Sequence, residues 1–83
     1  MGLQKSYIAE LPVTPLQSRQ ARASLQIGVR ELAKMAKVSV STVVRFEAGE
    51  ELKERTVDAL RDTLEKAGIE FIGKRGVRLR LPK

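Results

Sequence analysis

The stretch from Val29 to Glu47, VRELAKMAKVSVSTVVRFE, constrains the fold more than any other part of the chain. Two short helical patterns flank a tight connection at Lys37-Val38-Ser39. Leu32, Ala33 and Ala36 share one face of the first, Val43 and Phe46 share one face of the second, and Val38 is placed to plug the corner. Two helices that cross steeply need a small residue where they touch, and Ala33 supplies it. The second helix must also start cleanly. The Ser39 hydroxyl suits that role, because it can accept from a backbone N–H two or three residues further on. This is the spacing of a helix-turn-helix.

The whole chain has 83 residues, which predicts one small domain with a limited core. It has no cysteine and no histidine. Disulfides and thiolate-zinc sites are therefore excluded, and the commonest general base and metal ligand are missing. No apolar run approaches the ~20 residues of a membrane span. Lys5 is not followed by an apolar core and a small-residue cleavage site, so the expectation is a cytoplasmic protein without a secretory signal. The net charge is +6, which suits a polyanionic partner or simply a solvated surface. Its distribution is uneven: residues 1–49 carry seven Lys/Arg against three acids, residues 50–70 four against seven, and residues 71–83 five against none. The basic excess sits on the helical corner and on the tail.

Residues 1–13 lack clear periodicity and are expected to form an arm, with Tyr7, Ile8 and Leu11 available to pack on the body. Thr14-Pro15-Leu16-Gln17 reads as a helix start. Thr14 fits the N-cap, Pro15 the first helical position, and Gln17 can bond back in a capping box. The first helix runs to about Leu25, with Leu16 and Ala23 on one side, and Arg19 and Arg22 directed at a phosphate or at water. The second spans Val29 to Ala36 and the third Val40 to Ala48, stopped by Gly49. The fourth spans Glu54 to Ala67. Its Val57, Leu60 and Leu64 form an apolar stripe, its Asp58, Asp62 and Glu65 a solvated side, and Gly68 ends it. The period then changes. Ile69–Ile72 is strand-like, residues 73–76 read as a turn, and Val77-Arg78-Leu79-Arg80-Leu81 alternates strictly. The simplest pairing is a β-hairpin. Its apolar face must cover the helices, extend across a dimer, or both, since a lone two-stranded ribbon is marginal in water.

By spacing alone, the Val29–Glu47 corner also fits an ordinary bend in a small helical bundle. The other side of its second helix favours nucleic acid. If Val43 and Phe46 are buried, Val40, Ser41, Val44 and Arg45 point outward. Exposed valines lower helix propensity and leave apolar surface in water. In a major groove they have a partner, the thymine methyl, and Arg45 can grip guanine O6 and N7. Thr42, near the helix start, can reach a phosphate or a base edge.

The segment ARASLQIGVRELAKMAKVSVSTVVRFEAGE resembles the Cro/C1-type (XRE) family of phage-repressor-like helix-turn-helix proteins. The resemblance is carried by Arg22, Leu32-Ala33, Val38-Ser39, Thr42, Val43, Phe46, Glu47 and Gly49. The later ALRDTLEKAGIEFIGKRGVRLR is similar to a subgroup of small regulators with a GVRLR-type strand, so the likeness covers residues 14–81. It implies a mostly α, lambda-repressor-like bundle of four to five helices with a C-terminal β-hairpin. It also implies operator binding, usually as a dimer. The base-reading positions carried over are Val40, Ser41, Val44 and Arg45, with phosphate contacts from Arg22, Arg30, Lys37 or Thr42. Glu47 is expected to be structural, pairing with Arg22. Two positions depart from the family pattern: Lys37 stands where members often have glycine, and Val29 stands where they often have a glutamine that bridges backbone and base contacts.

Taken together, the chain reads as a DNA-binding domain over residues 14–68 with a dimerisation tail over 69–83. The expected function is a sequence-specific transcriptional regulator that binds a two-fold operator as a homodimer, with helix 40–48 in the major groove. It needs no cofactor, metal or small-molecule ligand. The alternative is an antitoxin whose DNA-binding body also captures a toxin through the arm or the tail. An enzyme is not expected, since the acids of the fourth helix form a solvated face and histidine and cysteine are absent. With no residues to spare for a ligand pocket, regulation is expected to act through concentration and competition with polymerase, while a repressor's autoregulation and residence on a mobile genetic element follow from family habit alone.

Overall fold

The computed structural model describes residues 12–80. Four helices come first: α1 Pro15–Leu25, α2 Val29–Ala36, α3 Val40–Glu47 and α4 Glu54–Lys66. An antiparallel hairpin of β1 Ile69–Ile72 and β2 Gly76–Leu79 closes the described chain. No helix among the described residues is long and apolar enough to cross a membrane.

The helix ends follow local chemistry. Thr14 caps α1 through a full capping box: its hydroxyl accepts from the Gln17 N–H, and its own N–H donates to Gln17 Oε1, both at 3.1 Å. Ser39 caps α3 by accepting from the Thr42 N–H at 3.0 Å. All four helices stop in the same way, on a residue with positive φ: Gln26 after α1, Lys37 after α2, Gly49 after α3 and Gly68 after α4. At Lys37 the turn closes with its N–H on the Lys34 carbonyl and the Val38 N–H on the Ala33 carbonyl, which uses up free carbonyls at the end of α2. Glycine is at ease there; lysine is not.

The core gathers Leu32 and Ala33 of α2, Val43 and Phe46 of α3, Leu60 and Leu64 of α4, and Ile69 of β1. Val57, expected in the α4 stripe, is only partly buried. Leu16 and Ala23 share the exposed side of α1, and its buried side is Gln17, Ser18 and Ala21. One correction concerns the arm: Val13, assigned to it, is buried in the core, so the body begins earlier than expected. Tyr7, Ile8 and Leu11 lie outside the described residues.

The hairpin pairs Ile69 with Leu79 and Phe71 with Val77 on one face, and Glu70 with Arg78 on the other. Val77 and Leu79 pack against the helical core. Of the two roles open to the apolar side of the tail, packing on the chain's own core is realised at Val77 and Leu79, both partly buried; Leu81 lies outside the described residues. The outer face carries Arg78 on Glu70 at 2.6 Å, with Ile72 half exposed beside the turn. What holds the hairpin turn is a buried amide. Gln17 Nε2 donates to the carbonyls of Gly73 and Gly76, each at 2.9 Å, while Oε1 accepts from Thr14. The Thr14 hydroxyl adds a bond to the Lys74 carbonyl at 3.0 Å.

Two outcomes test this arrangement. Phe46→Ala should cost about 3–5 kcal/mol, a large share of the stability of so small a domain. A melting temperature within a degree or two of wild type, by circular dichroism, would show that the α3 register is wrong. Gln17→Ala should cost about 1–3 kcal/mol by removing the buried amide that donates to the turn carbonyls. Amide exchange should then quicken in residues 69–79 before it does in α2 and α3, and an unchanged exchange pattern there refutes the role given to Gln17.

Candidate functional site

The side of α3 opposite Val43 and Phe46 is open. Val40 and Val44 are 42% and 50% exposed, and Ser41 and Arg45 are exposed beside them. The helix therefore presents two valines, a hydroxyl and a guanidinium in two successive turns. Thr42 is half buried and its hydroxyl lies 2.8 Å from that of Ser39, so it belongs to the cap as much as to the surface. Lys37, at the turn into α3, and Arg30, in the first turn of α2, are exposed. Neither makes an ion pair among the described residues.

Arg45 is not left loose. Its Nε lies 3.3 Å from Glu50 Oε1, and the Glu50 N–H donates to the Arg45 carbonyl. The carboxylate is thereby tied to the helix end that carries the guanidinium. Both side chains remain half exposed. Such a pair is worth little in stability, but it limits where the guanidinium rests.

The other end of the face is anchored by Glu47. Arg22 Nε and Nη2 bind its two carboxylate oxygens at 2.9 and 2.7 Å, a forked geometry that lysine cannot copy. The Ser18 hydroxyl donates to the same carboxylate at 2.7 Å, and Arg19 donates to the Glu47 carbonyl. The Glu47 side chain is only 7% exposed. Burial by itself would push this carboxyl up. The hydrogen bonds from Arg22 and Ser18, with the charges of Arg22 and Arg19, outweigh it and hold the group below its ordinary range. The Arg22 guanidinium is raised in turn, chiefly by its hydrogen bond to Glu47.

This cluster sorts the residues singled out from sequence. Val40, Ser41, Val44 and Arg45 share one open face, with Lys37 at its entry. Arg22 spends its donors inside the protein, on Glu47 and, at 3.4 Å, on the Ile27 carbonyl, so it acts as a strut between α1 and α3. Sequence reasoning missed Ser18 and Glu50. A signal for Ser18 existed, since it lies four residues before Arg22 and so shares its side of α1. Nothing local marks Glu50.

Glu47→Gln should lower stability by about 2–4 kcal/mol at neutral pH. That is somewhat below the ~3–5 kcal/mol for breaking a fully buried pair, because Arg22 keeps contact with water. The sign with pH follows from the lowered carboxyl. Its contribution is complete above the unfolded value of about 4.3 and is lost as pH falls through the lower folded value. Urea titrations of both proteins should show a constant gap near pH 7 that narrows below about pH 4. A gap independent of pH would mean that the charge of Glu47 does not matter.

Compared with known proteins, the chain matches no protein-family model, and no curated protein matches it.

Proposed function

We propose that this chain is a sequence-specific DNA-binding transcriptional regulator of the Cro/C1-type (XRE) helix-turn-helix kind, with α2 and α3 as the helix pair and α3 as the helix that reads the major groove. The observation that carries this reading is the exposed pair Val40 and Val44 flanking Ser41 and Arg45 on a helix fixed at both ends. Two half-exposed valines on a two-turn helix are poorly explained by water and well explained by thymine methyl groups. Arg45 supplies the bidentate donor for guanine. Ser41 reads or orients beside it, Thr42 serves a phosphate through the cap, and Lys37 and Arg30 supply the sequence-independent attraction to the backbone.

Fixed geometry matters because base readout tolerates little positional error. The Ser39 cap sets where α3 begins, and the Glu47 cluster sets how its far end lies on α1. The regulator acts as a homodimer on a two-fold operator, with half-sites separated by about one helical turn, 34–36 Å. Regulation then runs through protein concentration and competition with polymerase.

Selection of bound DNA from a random pool tests the reading. It should return a symmetric site with a guanine in each half contacted by Arg45. Arg45→Ala should weaken binding to that site by about 1–3 kcal/mol per lost contact and relax the preference at that guanine, with the melting temperature unchanged. Recovery of no enriched sequence, or an Arg45→Ala protein with wild-type affinity, refutes it.

A further inference from the structure

Near Thr14 the surface carries two patches of opposite charge. On one side lies a groove of about 560 Å³ between the chain entering α1, the end of α3 and the start of α4. Its apolar lining includes Leu52 and Val57, and its acids include Glu51, Glu54 and Asp58. No lysine or arginine of the described residues lines it, and those three acids make no ion pair among the described residues. On the other side lies the hairpin turn, which reaches residue 14 through the bond from the Thr14 hydroxyl to the Lys74 carbonyl. Lys74 and Arg75 at its tip are exposed and likewise unpaired among the described residues. Ile72, just before the turn, is a large apolar side chain left half in water.

We propose that the groove is filled by the Lys74–Arg75 turn of a second copy of this chain, and that the contact is reciprocal. The argument is geometric and electrostatic. Pro12, Val13 and Pro15 line the groove and Thr14 holds the turn, so the two patches adjoin at one point of the chain. A two-fold axis lying in the contact plane between them sets each turn against the partner's groove, and both copies gain the same contact, as an isologous interface requires. Cations meet carboxylates and Ile72 adds apolar surface beside them. Val77 and Leu79 already pack on the chain's own core, and this surface is where the tail reaches a partner copy. The assignment rests on the homodimer named in the proposed function and locates its interface.

Complementary charge reversal tests it on the protein without DNA. One variant carries Lys74→Glu and Arg75→Glu, the other Glu51→Lys and Asp58→Lys; Glu54 is kept because it favours the start of α4. Light scattering and sedimentation should find the wild type as a dimer that weakens with salt. Each variant alone should be monomeric, with its dimer dissociation constant raised at least ~10-fold. Mixed together, the two should recover a dimer, because an acidic turn then meets a basic groove and a basic turn an acidic groove. Circular dichroism melts confirm that each variant is folded. Should a variant fail to fold, the single changes Arg75→Glu and Asp58→Lys take its place in the same mixing test. A monomeric wild type, reversal variants that stay dimeric, or a mixture that stays monomeric overturns the assignment; a groove taken by residues 1–11 or by a foreign peptide would produce the second of these. Operator selection run in parallel separates the two ideas: a reciprocal dimer with no DNA preference refutes the regulator and leaves the interface standing.

Discussion

Glu47 carries a negative charge into a place that water scarcely reaches, and the placement of α3 depends on that charge being satisfied. Three hydrogen bonds meet it, two from Arg22 and one from Ser18. The attraction has to exceed the loss of hydration, and the lowered carboxyl shows that it does. A greasy contact at the same spot would hold α3 against α1 but leave it free to slide or roll. A forked ion pair with a third donor has one good geometry. Apolar burial of Val43 and Phe46 therefore supplies adhesion, and the polar cluster supplies orientation.

The same division of labour runs along α1. Its buried side is mostly polar, with Gln17 gripping the hairpin turn and Ser18 and Arg22 gripping α3. This short helix joins the two ends of the domain through directional bonds, while the apolar core lies mainly among α2, α3, α4 and β1. Each buried polar atom in these grips needs its partner in place, so the grips discriminate against nearby arrangements that would bury as much apolar area.

Much of the fold was legible where the code is local. Thr14, Ser39, Gly49 and Gly68 mark helix boundaries through capping chemistry and positive φ, and the change of period after Gly68 marks the hairpin. The outward set Val40, Ser41, Val44 and Arg45 was legible too, since placing Val43 and Phe46 inside fixes the opposite face. What could not be read depended on partners far along the chain. The heptad pair Leu16 and Ala23 marked a shared side of α1 but not which side is buried, because the claim on Gln17 comes from carbonyls more than fifty residues away. Alternation likewise revealed that Val77 and Leu79 share a face that needs cover, but not which of the open partners, the helices or a second copy, supplies it; the chain's own core covers it in part. Arg22 was legible as a possible partner of Glu47 by resemblance; its commitment inside the protein depends on how α1 lies against α3.

Lys37 sits in the left-handed conformation at φ 61°, in the turn just before α3. Its Cβ is tolerated there at a cost of about 1 kcal/mol, which the surrounding hydrogen bonds must absorb. This makes position 37 a narrow gate in the space of sequences. Glycine and asparagine pass it with ease, long unbranched side chains pass at that cost, and valine, isoleucine or threonine, crowded at Cβ, are shut out. Drift that favours a more rigid turn leads toward glycine and removes a cation from the edge of the α3 surface in the same step. At this one residue, backbone comfort and surface charge are inherited together and cannot be tuned apart.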